Sequence, residues 1–179
     1  FSYSFFSHLI ETSKLEGYKI SSFEKYDSSN PKTIILRHDI DYTLNGVLDL
    51  AEIENSKGVT STFLFRVHAD EYNLFCCTSL VMLNELKKMG HEIGLHFEAM
   101  NVGRALELDP PTLLQKEKKV IETILGTNVF TCSEHRELSN QIHKTKTYDE
   151  IYDPYEHGFK FYAMDKKYCQ QMKYLSDSN

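Results

Sequence analysis

Where the apolar run Thr33-Ile-Ile-Leu36 stops, the chain sets down Arg37, His38, Asp39 and Asp41, side chains that are costly to bury unless paired. Asp39 and Asp41 stand two apart, so in an extended backbone they share a face. Two carboxylates that close repel, and a proton, a cation or a metal ion relieves the repulsion. A second cluster, residues 91–98 with His91, His96 and Glu98, repeats the design of an apolar strand followed by candidate ligands. The strand-like stretch 59–67 ends in His68 and Asp70, and 128–132 runs into Glu134, His135 and Arg136. The candidate set is therefore Asp39, Asp41, His68, Asp70, His96, Glu98, His135 and Asp177. A mixture of imidazoles and carboxylates suits zinc or another divalent transition metal, whereas calcium wants oxygen alone. Three protein ligands with one open position make a catalytic site, because water bound there loses a proton near neutral pH. A further carboxylate that does not ligate must then take that proton.

Such groups need a scaffold that delivers strand ends to one place. Helical spacing of apolar residues predicts helices over 1–16, 46–57, 79–89 and 113–125, with Gly17, Gly58, Gly90 and Gly126 as stops. Leu80, Leu83 and Leu86 form the expected inward stripe of the third helix. Strands are predicted at 33–36, 59–67, 91–96, 128–132, 159–164 and 171–175, the first of them buried on both faces. Strands alternating with helices imply an α/β fold, a mostly parallel sheet with right-handed crossovers and its polar landings on one rim. The alternation fits a doubly wound sheet or a (β/α) barrel. A full eight-fold barrel takes about 250 residues, so 179 suit a distorted or incomplete (β/α) barrel.

Length and composition predict one domain over 1–179. The chain begins at Phe1 and not Met, which leaves room for truncation at one or both ends. A formal charge of −6 and a pI near 5.7 argue against a nucleic-acid or anionic-membrane partner. No apolar run approaches the roughly 20 residues needed to span a bilayer. Cys76, Cys77, Cys132 and Cys169 have no CxxC spacing and read as reduced thiols, which points to a cytoplasmic protein.

Leu36-Arg-His-Asp39-Ile-Asp41 followed by Lys88-Met-Gly-His-Glu-Ile-Gly-Leu-His96 resembles the polysaccharide deacetylase (NodB-homology, carbohydrate esterase family 4-like) superfamily. The resemblance implies a distorted (β/α) barrel and a metal-dependent hydrolase that deacetylates an N-acetylated sugar or polysaccharide. It makes Asp39 the general base and Asp41 and His96 metal ligands, and it makes the substrate a carbohydrate or other small amide. The family's usual second histidine, four residues after the first, is Met100 here, so the chain reads as a divergent branch. Glu98 or His68 could replace it. His135 is the stronger substitute, because it lies at the next strand end, where the family has an arginine-containing motif. Arg136 beside it would orient Asp39, and Asp177 would pair with a cation in the site. Zinc is the expected ion, with cobalt, nickel, manganese and iron as alternatives. Two other readings stand beside this one. Asp39-Ile-Asp-Tyr-Thr-Leu44 also matches the opening motif of haloacid-dehalogenase-type phosphatases, with Asp39 as nucleophile and magnesium at the site. The third is a non-catalytic relative that binds carbohydrate.

Overall fold

Residues 2–135, 153–173 and 175 are described by the computed structural model. Among them α1 (Tyr3–Leu15) leads to β1 (Lys19–Ser21) and β2 (Thr33–Ile35). Then come β3 (Arg37–Ile40), α2 (Val47–Ser56), β4 (Thr62–Phe65), α3 (Cys77–Lys88) and β5 (Glu92–Phe97). The rest is α4 (Ala99–Leu106), α5 (Pro110–Leu125), β6 (Thr131–Glu134), a 3₁₀ turn at Pro154–His157, β7 (Phe161–Tyr162) and α6 (Lys166–Gln171).

Local chemistry sets the helix ends. Ser2 caps α1 by accepting from the Phe5 amide, and Asp109 caps α5 by accepting from the Thr112 amide at 2.8 Å. Prolines at its first positions and the left-handed Gly126 beyond its last complete the α5 signature.

Strands β3 to β7 form one parallel sheet in sequential order, and β1 pairs separately with β2. A doubly wound sheet reverses its strand order at the site; this one never does, which excludes that alternative. The pleat sorts the side chains by parity. Phe63, Phe65, Ile93, Leu95, Phe97, Cys132 and Tyr162 join the helices' Val47, Ala51, Leu83, Leu86, Leu114 and Ile121 in the main core. The opposite face carries Arg37, Asp39, Thr62, Glu92, His96, Thr131 and Ser133. Both Arg37 Nη atoms lie 3.8 Å from the Met164 sulfur just past β7, so the two edge strands bend towards each other. The sheet is an open, curled α/β layer with a polar lining. At its amino end Glu92 accepts from Thr62 Oγ1 at 2.7 Å, the Glu24 amide at 3.0 Å and Thr131 Oγ1. Gly94 lines the middle, where a Cβ would stand 2.4 Å from Leu64 Cδ2 and 2.6 Å from the Thr131 carbonyl oxygen.

Several expectations change. The run 33–36 is not a strand buried on both faces: β2 is half-exposed and pairs with β1, while β3 itself is made from Arg37–Ile40. As an edge strand on a polar lining, β3 places Arg37 and Asp39 inside the curl and pairs His38 on its other face. Of the strand expected at 171–175, Gln171 instead closes α6, the helix that Asp165 caps by accepting from the Lys167 amide, and 172, 173 and 175 are in no strand. Leu80 leaves the expected stripe for the surface, and α3 turns Ser79, Met82, Leu83 and Leu86 inward. Helix α4 fills a stretch with no predicted element. No helix among the described residues is long and apolar enough to cross a membrane.

Candidate metal centre

The carboxyl ends of β3, β5 and β6 each deliver one donor. Asp41 is the first residue beyond β3, His96 is the fifth of β5, and His135 is the first beyond β6. Asp41 Oδ1 lies 3.1 Å from His96 Nε2 and 3.8 Å from His135 Nε2, and the three donor atoms fall within 4.8 Å of one another. Zinc ligands at about 2.1 Å stand roughly 3.4 Å apart in a tetrahedron, which these separations bracket. The imidazoles meet edge to face, ring centroids 5.2 Å apart.

The tautomers follow from the outer contacts. His96 Nδ1 is 3.2 Å from the Ser133 carbonyl oxygen, which only accepts, so Nδ1 carries the proton and Nε2 presents a lone pair. His135 Nδ1 is 3.1 Å from Glu98 Oε1 and donates to that carboxylate. Both rings thus carry the outer hydrogen bond that orients metal-ligating histidines. Three lone pairs converge, and Asp41 Oδ1 is buried without a hydrogen-bond partner among the described residues. That donor set calls for a cation, so the residues present fit a divalent metal.

The electrostatics agree. Burial pushes the Asp41 carboxyl up, but His96, then His135 and Arg66, outweigh it and hold it below the usual range. Burial raises Glu98 too, and His135 and Arg66 reverse the effect. The hydrogen bond to Glu98 raises His135 against the opposing effect of burial. Asp39 sits two residues before Asp41 on the same face, with Oδ2 3.0 Å from Arg37 Nη2 and Oδ1 buried and unpartnered among the described residues.

The other candidates scatter. Glu98 stands behind His135, outside the three-residue group. His68 is 3.5 Å from Glu117 Oε1, its basicity lowered by burial, with Glu98 opposing. Asp70 is exposed. His38 faces away from the aspartates, with Nε2 2.5 Å from Glu54 Oε1. His91 fills the core edge, its Nδ1 accepting from the Ser61 amide at 3.2 Å and its Nε2 3.2 Å from the Ala51 carbonyl. Arg136 and Asp177 lie outside the described residues. Position 100 falls in α4. Spacing alone missed Arg37 as the partner of Asp39, and it missed Arg66, Glu54 and Glu117. Arg66 had one signal, a charge in the otherwise apolar Phe63-Leu-Phe-Arg-Val67.

Neither a known family profile nor a curated protein matches the sequence. Among solved structures, the Streptococcus pyogenes deacetylase PplD in complex with acetate is similar, with a TM-score of 0.51 and 17% identity over 76% of this chain. The chain shares its overall fold with PplD. At 17% identity the likeness is one of fold alone. The chain spans 66% of the length of PplD. The Xyl-CE4 domain of a multidomain xylanase from the hindgut metagenome of Trinervitermes trinervoides is a looser likeness: TM-score 0.44, 18% identity, 71% of this chain and 55% of that one.

Proposed function

We propose that the chain is a metal-dependent hydrolase of C–N amide bonds that removes acetyl groups from an N-acetylated sugar or polysaccharide. The observation that carries this reading is the convergence of Asp41, His96 and His135, both imidazoles turned Nε2-inward, beside a carboxylate that does not join them. Asp41, His96 and His135 would hold the ion, zinc before cobalt, nickel, manganese or iron. Bound there, a divalent metal supplies a Lewis acid that polarises an acyl oxygen and acidifies water. Asp39 is the base. Arg37 occupies Oδ2 and fixes the carboxylate plane, which leaves Oδ1 to accept the proton of the attacking water. As the new C–O bond forms, that proton is held on Asp39, two residues from the ligand Asp41. The departing amine needs the same proton when the C–N bond breaks, and its transfer restores Asp39. PplD, a deacetylase bound to acetate, supports the acyl class by its fold. Two histidine donors run against the phosphatase reading, since magnesium takes carboxylates, waters and phosphate oxygens.

Acetate release from an N-acetylglucosamine oligomer, with metal content by elemental analysis, tests the proposal. Wild type should carry close to one equivalent of metal, lose turnover to a chelator and regain it with zinc or cobalt. His96→Ala should carry none. Asp39→Asn should keep the metal and lose about 10²- to 10⁴-fold in kcat. A wild-type protein that takes up no metal sinks the reading, and an Asp39→Asn variant with full turnover removes Asp39 as base.

A further inference from the structure

Arg66 and Glu98 are opposite charges buried together at the rim, each 5% exposed, with Arg66 Nη2 2.8 Å from Glu98 Oε1. Buried ion pairs add little to stability beyond what well-packed apolar side chains would give, so their presence asks for another reason. The reason lies in what each touches. Arg66 Nη1 donates to the Asp41 carbonyl oxygen at 2.6 Å and to Glu71 Oε2 at 3.2 Å. Its amide donates to Tyr72 Oη at 2.9 Å, and that hydroxyl donates to the Ile40 carbonyl at 2.6 Å. The oxygen of Glu98 that accepts from Arg66 is also the one that accepts from His135 Nδ1. The Glu98 amide is held in turn by the Glu117 carboxylate, at 3.2 and 3.3 Å.

We infer that Arg66 and Glu98 are the positioning residues of the centre, one guanidinium fixing two of its three donor residues at once. Asp41 is held through its main-chain carbonyl, and His135 through the shared Glu98 Oε1. This inference rests on the reading that Asp41, His96 and His135 hold a metal. Its content is a proton's location. With Glu98 accepting from Nδ1, His135 keeps Nε2 bare and aimed at Asp41. With the proton on Nε2, the ring would donate to Asp41 and close the site to a cation. Because only Oε1 is shared, a glutamine can replace Glu98: its carbonyl oxygen still accepts from both partners, and its amide takes the place of Oε2, which has no hydrogen-bond partner among the described residues.

Two measurements decide. The first is the side-chain ¹⁵N spectrum of metal-free wild type at a pH where His135 is neutral, assigned by its loss in His135→Gln. Proton on Nδ1 supports the inference; proton on Nε2 overturns it. The second is zinc affinity by competition with a chromophoric chelator. Glu98→Ala and Arg66→Met should lose about 10- to 100-fold, and Glu98→Gln should stay within a few-fold of wild type. A Glu98→Gln variant as weak as His135→Ala would make the carboxylate itself a ligand and overturn the positioning role. Affinities equal to wild type throughout would overturn it as well. Where Glu98→Ala or Arg66→Met fails to fold, Glu98→Gln and the wild-type spectrum carry the test. If wild type binds no zinc, the hydrolase reading falls, and the spectrum alone still decides whether Glu98 sets the proton on His135.

Discussion

At the scale of single residues, Arg37 and Asp39 divide one carboxylate into a tethered oxygen and a waiting one. Arg37→Met should therefore leave metal content unchanged and lower kcat by about 10- to 100-fold, the penalty for a base that drifts from its line of approach. Steady-state acetate release with elemental analysis on the same sample checks this; an unchanged kcat would reduce Arg37 to packing. The donor residues were legible because imidazole and carboxylate side chains at strand ends have few structural uses. The partner of Asp39 was also in view two residues upstream, yet sequence reasoning gave that role to Arg136, following the motif and not the strand's own parity. Glu54 had a signal too. Val47, Ala51 and Glu54 follow at i, i+4 and i+7, so the helix that buries the first two must bury the third. It is fully buried against His38, Ser61 and His91. Glu117 carried the same signal, since Leu113, Glu117 and Ile121 follow at i, i+4 and i+8 on the buried face of α5.

At the scale of elements, helices were easier to read than strands. Caps and 3.6-residue spacing mark α1, α2, α3 and α5 in local chemistry, whereas β3, β4 and β6 are four residues each and take their identity from neighbours. That is why Arg37–Ile40 read as a landing: nothing local says that a strand made of Arg, His, Asp and Ile will be paired. Gly94 shows the same dependence on neighbours. It sits in register between Leu64 of β4 and the strand that carries Thr131, where the lining has no space for a methyl group. Gly94→Ala should cost about 1–3 kcal/mol in urea unfolding, through a shift of β5 against its neighbours. Since His96 lies two residues further along the same strand, zinc affinity should fall with it. A variant as stable as wild type would mean that the lining is looser than the 2.6 Å approach to the Thr131 carbonyl implies.

Taken as a whole molecule, this fold hides acidic groups that a net charge of −6 would suggest lie on the surface: Glu54, Glu92, Glu98, Glu117 and Glu134 are all buried. The lowered Asp41 and Glu98 carboxyls stabilise the fold above their unfolded values and lose that contribution as pH falls through the folded ones. Glu117 runs the other way. Burial drives it up to about 8, the Glu98 amide works against this, and the Glu98 carboxylate adds to it. A folded value above the unfolded 4.5 means that the native state holds the proton more tightly. Stability from this group is complete below about 4.5, declines as pH rises towards 8, and is flat beyond. The decline should be on the order of a few kcal/mol, because each tenfold change in proton affinity is worth about 1.4 kcal/mol. His68, 3.5 Å away, is the basic group facing it, and its own basicity is lowered, so it offers little compensation above neutrality. Glu117→Gln keeps an acceptor for the Glu98 amide without a charge to bury. Its urea midpoint should match wild type near pH 5 and exceed it clearly at pH 8, with the same m-value. Parallel pH profiles for the two proteins would show that Glu117 ionises in the fold without cost, and that the acidic interior owes its tolerance to water reaching the carboxylate.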